Sequence, residues 1–114
     1  MNYKWRIFSA DLNPVIGSEQ RGKRPVLVIS DEDFNIVMPV VTVLLLTSLK
    51  EGRKIYPNEV LLKKGTAGLS RDSVVLAHQI RTISKQRLKD TIGLIADYSI
   101  HENINEALKV HLNL

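Results

Sequence analysis

Apolar positions fall in short runs separated by turn-forming residues, and the run lengths predict strands through most of the chain. Tyr3 to Asp11 alternates loosely around Trp5, Ile7 and Phe8 and reads as a first strand, closed by the turn signal Asn13-Pro14. Pro25 to Ser30 is a continuous apolar run of the kind found in buried strands. Ser30-Asp31-Glu32-Asp33 then reads as a short helix start or a turn, with acidic groups where a helix N-terminus favours them. Val40 to Thr47 is rich in β-branched residues and lacks polar alternation, which predicts a central strand buried on both faces. After a long loop from Lys50 to Asn58, Glu59 to Leu62 forms another strand, turned by Lys63-Lys64-Gly65. Asp72 to Ile83 joins the apolar run Val74-Val75-Leu76-Ala77 to a polar strand segment, Gln79-Ile80-Arg81-Thr82. Thr91 to Ile95 is a last, shorter strand.

The period then changes. Ile100, Ile104, Ala107 and Leu108 recur at helical spacing, with Asn103, Asn105 and Lys109 on the other side. Ser99 with Glu102 three residues on has the form of a capping box. Five or six short strands followed by one amphipathic helix imply a small, strongly curled antiparallel sheet or barrel whose open side the helix covers.

Length adds that this is one domain over residues 1–114, large enough for a real core. Net charge is +4, which favours a polyanionic partner such as nucleic acid. A membrane surface is the competing partner, but no basic amphipathic helix is present to lie on it. The chain has no cysteine, so disulfides and thiolate chemistry are excluded. The polar N-terminus lacks a signal-peptide apolar region, and Val40–Leu46 is far shorter than the ~20 residues a bilayer span needs. A soluble protein of a reducing cytoplasm is expected.

Candidate chemistry gathers at strand ends. Gly17-Ser18-Glu19-Gln20-Arg21-Gly22-Lys23-Arg24 is a cationic loop running straight into the apolar strand beyond Pro25. Mobile loops on rigid strands are where sites usually lie, and arginine matches phosphate with a planar fork of donors. A solvated hairpin turn is the plainer reading. Thr47-Ser48 ends the central strand, and His78-Gln79-Ile80-Arg81 interrupts an apolar one with three polar groups. A metal site is not expected. His78, His101 and His111 are the only imidazoles, and the last two would stand ~15 Å apart on different helix faces. No nucleotide-binding glycine fingerprint or nucleophile elbow is present.

These motifs, taken in order, resemble one family. Gly17-Ser18-Glu19-Gln20, Arg24-Pro25-Val26-Leu27-Val28-Ile29, Thr47-Ser48, and Asp72-Ser73-Val74-Val75 leading into Gln79-Ile80-Arg81-Thr82-Ile83 are similar to the MazF/PemK toxins of toxin–antitoxin systems. Leu88 and Asn105-Glu106-Ala107-Leu108 fit as well, so the resemblance spans about Ala10 to Leu112. It implies an SH3-like β-barrel of five to seven strands with short helices and a C-terminal α-helix, forming a homodimer. It also implies an endoribonuclease that needs no metal or other cofactor and cuts single-stranded RNA at short sequences. An antitoxin protein would block the same groove. Arg24 and Thr47 take the positions of the family's catalytic pair. Ser18, Glu19, Gln20, Arg21 and Lys23 belong to the loop that covers the RNA, with Ser48, Gln79 and Arg81 as further RNA contacts.

Two departures stand out. Lys4-Trp5-Arg6 replaces the family's usual Arg-Gly-Asp opening, and His78 stands where Asp or Glu is common. His78 is thereby a candidate acid or base that titrates near neutral pH. Two other functions are compatible with the same barrel: a non-catalytic toxin that binds DNA gyrase, and a nucleic-acid-binding barrel without toxicity.

Overall fold

The computed structural model describes residues 2–12 and 23–114. The expected turn at Asn13-Pro14 and the loop residues through Gly22 lie outside them. Six strands, β1 (Arg6–Asp11), β2 (Lys23–Val28), β3 (Val40–Ser48), β4 (Glu59–Leu62), β5 (Ser73–Ser84) and β6 (Leu88–Leu94), form one sheet in the order β4-β5-β3-β2-β1-β6. All the pairings are antiparallel. The sheet is curled but open, with β4 and β6 at its edges, so a closed barrel is too strong a description.

The central position of β3 explains its unbroken apolar run. Leu44 and Leu46 pack into one cluster with Ile7, Leu27, Val75 and Ile104, while Val41, Val43 and Leu45 pack into another with Phe8, Val26, Val28 and Ile83. Successive residues of a strand point to opposite faces, so a strand with two covered faces must be apolar throughout. The six-residue helix α1 (Glu32–Val37) precedes β3, with Asp31 as its N-cap accepting from the Asp33 N–H. Glu32 accepts from the backbone N–H groups of Tyr3 and Lys4 at 2.8–3.0 Å and so ties the start of the chain to α1.

The C-terminal helix α2 (Tyr98–Leu112) buries Ile104 and Ala107 and packs on β5 and β4. Its cap differs from the one expected. Asp97 is the N-cap, and Ser99 lies inside the first turn, its own hydroxyl and N–H both donating to Asp97 Oδ1 at 2.8 and 2.9 Å. A charged acceptor two residues upstream outcompetes a hydroxyl for the free amides. The polar segment around Gln79 also continues β5 as one strand. The irregularity lies between Leu44↔Ile80 and Leu45↔Leu76, which leaves Ala77, His78 and Gln79 bulged against a single step of β3. No helix among the described residues is long and apolar enough to cross a membrane.

Candidate active site

Strand register builds the site. β2 and β3 pair Val26 with Leu45 and Leu27 with Leu44, and Arg24, two residues before Val26, lines the same cleft as Thr47, two residues beyond Leu45. On the other side of β3, Thr47 pairs with Val74 and Ser48 with Ser73 of β5. Strand pairing thus brings distant parts of the chain to one cleft.

A cleft of about 650 Å³ opens over this corner, lined by Lys23, Arg24, Thr47, Ser48, Lys50 and Arg71 together with Ser9, Ser70 and Ser73. Its apolar floor comes from Pro25, Leu46, Leu69 and Ile92. Four cations line it and no carboxylate does, among the described residues. Some cations elsewhere have partners: Arg53 pairs with Glu59, Lys109 with Glu106, and Lys85 donates to the Asn35 and Ile36 carbonyls. A concave pocket of cations interleaved with hydroxyl groups, with no carboxylate among its described lining residues, suits an oxyanion, and its low-dielectric walls concentrate the field. Among the described residues no cluster of three His, Asp or Glu side chains could hold a metal ion.

The expected site residues divide into three groups. Lys23, Arg24, Thr47 and Ser48 meet in the cleft. Ser18, Glu19, Gln20 and Arg21 lie outside the described residues. His78, Gln79 and Arg81 lie on β5 but do not line this cleft. His78 instead faces Glu59, with Nε2 3.4 Å from the carboxylate, and its ring lies 6.3 Å from that of His111 on α2. The β5 bulge turns it toward the β4 edge. Arg81 pairs in register with Val43 and is exposed, as is Gln79.

Glu59, outside the cleft, is a strongly perturbed carboxylate. Both its oxygens accept from Arg53 at 2.9 Å, and the Tyr56 N–H donates to it at 3.1 Å. These bonds outweigh the cost of burial and hold its pKa at about 2. Lys50 and Arg71 were not among the residues the sequence singled out. Lys50 reads as the start of a loop and Arg71 as a turn, and only the pairing of β3 with β5 brings them to the cleft.

A family model described as PemK-like, MazF-like toxin of type II toxin–antitoxin system matches residues 3–112. Over 108 residues the chain is 43% identical to "Endoribonuclease EndoA" of Bacillus subtilis (strain 168), covering 95% of this chain and 91% of that protein. It is 40% identical over 108 residues to "Endoribonuclease MazF" of Staphylococcus saprophyticus, covering 95% and 88%. Its fold superposes on a chain of the MazE–MazF crystal structure from Deinococcus radiodurans with a TM-score of 0.74, at 25% identity over 100% of this chain and 96% of that one. The match takes in all six strands and the closing helix, and the chain belongs to the PemK-like, MazF-like toxins of type II toxin–antitoxin systems.

Proposed function

We propose that this chain is an endoribonuclease toxin that cuts single-stranded RNA by attack of the strand's own 2′-hydroxyl. The observation that supports the reading is that Arg24 and Thr47, from two separate strands, both line one cationic cleft. The 2′-hydroxyl gives up its proton as its oxygen attacks the adjacent phosphorus, the bond from phosphorus to the 5′-oxygen breaks, and that oxygen takes up a proton, leaving a cyclic phosphate and a free 5′-hydroxyl. The nucleophile comes with the substrate, so no metal-activated water is required.

The protein has three tasks: splaying the strand, holding nucleophile and leaving oxygen in line, and stabilising charge on the phosphoryl oxygens. Arg24 neutralises that charge through its fork of N–H donors, and its high pKa suits it to this better than to proton transfer. Thr47 donates a hydrogen bond to a non-bridging oxygen. The loop residues Ser18, Glu19, Gln20 and Arg21, with Lys23 and Ser48, contact the RNA around the scissile linkage, and Gln79 and Arg81 contact it further along β5.

An acidic antitoxin segment would occupy the same cleft, since its carboxylates match the cations there. The family description, a toxin of a type II toxin–antitoxin system, supports an antitoxin partner. A homodimer is part of the reading. Phe34, Ile36, Val37 and Met38 are 44–74% exposed on and just after α1, an apolar patch beside β3 that a second copy would cover. The toxin acts in the cytoplasm, where its RNA substrate is.

Incubating the purified protein with mixed-sequence RNA in chelator tests the reading. Discrete fragments from wild-type protein, and none from a folded Arg24→Ala variant, are expected. Intact RNA would return the protein to the binding functions. An oligonucleotide with deoxyribose only at the cleavage position should bind and survive, because it lacks the attacking hydroxyl.

A further inference from the structure

The cleft holds a second cationic pair, at the far end of β3 from the core. Ser48 pairs with Ser73, and the ladder continues one step beyond the strands, since the Leu49 N–H donates to the Asp72 carbonyl at 3.0 Å. Lys50 and Arg71, the next residues outward on the two segments, are exposed and both line the cleft. No carboxylate among the described residues forms an ion pair with either. The adjacent Asp72 is turned away, its Oδ1 accepting from the Lys64 N–H at 2.7 Å. Glu51, next to Lys50, is exposed and pairs with neither cation.

The backbone fixes this arrangement. The turn Gly65–Leu69 carries three residues with positive φ, Gly65, Ala67 and Gly68, and closes with the Gly65 N–H on the Leu69 carbonyl at 2.8 Å. It lies directly on β6, so that a Cβ at Gly93 would come within 2.1 Å of the Ala67 carbonyl oxygen. Ser73 Oγ donates to the Arg71 carbonyl at 3.0 Å. Arg71 is therefore held on a clamped segment and shares with Lys50 a cleft that no acid lines among the described residues. An anion bound between the two side chains would neutralise both charges.

We propose that Lys50 and Arg71 together bind a backbone phosphate of the RNA next to the scissile one, and so set the strand's path through the cleft. Lys50 is three positions beyond Thr47, about 10 Å along an extended chain, further than one phosphate group reaches. The pair thus serves a neighbouring linkage while Arg24 and Thr47 serve the one that breaks. Both are binding residues that position the substrate, and the proposal rests on the ribonuclease reading above.

The test compares wild-type protein with Lys50→Gln and Arg71→Gln, using mixed-sequence RNA methylated at every 2′-oxygen as an uncleavable probe. Each variant should bind it about 5- to 20-fold more weakly at low salt. Each should also lower the slope of log affinity against log salt by about 0.7, the value for one phosphate contact on a single strand. On unmodified RNA, KM should rise more than kcat falls. Thermal stability should stay close to that of wild type, because both side chains are exposed. Unchanged affinity and salt slope, with wild-type protein still cutting RNA, would overturn this proposal alone. Loss of stability in both variants with an unchanged slope would also overturn it, by assigning the pair to the fold. Failure of wild-type protein to cut or bind any RNA would overturn the ribonuclease reading and this proposal with it.

Discussion

Trp5 lies face to face with His101, their ring centroids 4.0 Å apart and their planes 7° from parallel. The stack joins the start of β1 to the first turns of α2, and His101 Nε2 donates to the Ile95 carbonyl at 2.7 Å. Trp5 pairs at both backbone groups, its N–H to Val28 and its carbonyl to the Ile95 N–H, each at 2.9 Å. It does so at φ 70°, a left-handed conformation that costs a residue with a Cβ about 1–2 kcal/mol. This is the position where the family's usual opening carries glycine, and the backbone angle explains that preference.

The strain reverses the usual order of substitutions. Trp5→Gly loses the stack and its apolar burial but relieves the backbone, for a net loss of about 1–3 kcal/mol. Trp5→Ala loses the same contacts and keeps the strain, so it should be the less stable by about 1 kcal/mol. Urea denaturation of the two variants checks this order. A glycine variant no more stable than the alanine variant would mean that position 5 is unstrained.

The glycine contact under the cleft gives a second comparison. A Cβ at Gly93 would meet the backbone oxygen of Ala67 at 2.1 Å, and no side-chain rotation can relieve a clash with main chain. Gly93→Ala should cost about 2–4 kcal/mol or displace the turn that leads to Arg71. Gly52, at φ 79°, has nothing within 4 Å of its added Cβ, and Gly52→Ala should cost only about 1 kcal/mol. The two melting temperatures, measured side by side, separate steric contact from backbone preference.

Glu59 predicts an acid transition. Its pKa falls from 4.5 to about 2 in the folded chain, first because Arg53 binds both oxygens. A depressed folded-state pKa means that the stabilisation is complete above about 4.5 and disappears as pH falls toward 2. Glu59→Gln lacks this titration. Wild type should therefore be the more stable near neutrality, and the gap should narrow steadily below pH 4.5. Thermal melts of both proteins between pH 2 and 7 measure it, and a constant gap would mean that Glu59 is not the group responsible.

Some of this was legible in sequence because it is local. The bounds of β4 follow from Pro57-Asn58 before it and Lys63-Lys64-Gly65 after it, and the helical period of α2 stands out against the strands. The choice of Asp97 over Ser99 as cap was not legible, since both residue types cap well and only the geometry decides. The open edge at β6 depends on curl summed over six strands, which no local pattern carries. Arg24 and Thr47 could be named from motifs, but Lys50 and Arg71 share a cleft only because β3 pairs with β5, which joins segments far apart in the chain.

His78 is the residue whose role the fold changes most. Its sequence position suggested a group titrating near neutrality at the reacting centre, yet the bulge after Ala77 points it at Glu59 and His111. No imidazole or carboxylate among the described residues lines the cleft beside Arg24 and Thr47. Proton transfer by His78 would need it within hydrogen-bond reach of the scissile linkage, directly or through one water. His78→Gln should accordingly keep turnover within about threefold of wild type, with the same rate profile from about pH 5.5 to 7.5. In the proposed mechanism Thr47→Val would remove a donor to the phosphoryl oxygens while conserving shape, and should lower kcat by about 10²- to 10³-fold. Single-turnover rates of both variants on one RNA decide between them. A His78→Gln defect as deep as that of Thr47→Val would place this imidazole at a reacting phosphate after all, brought there by a second subunit.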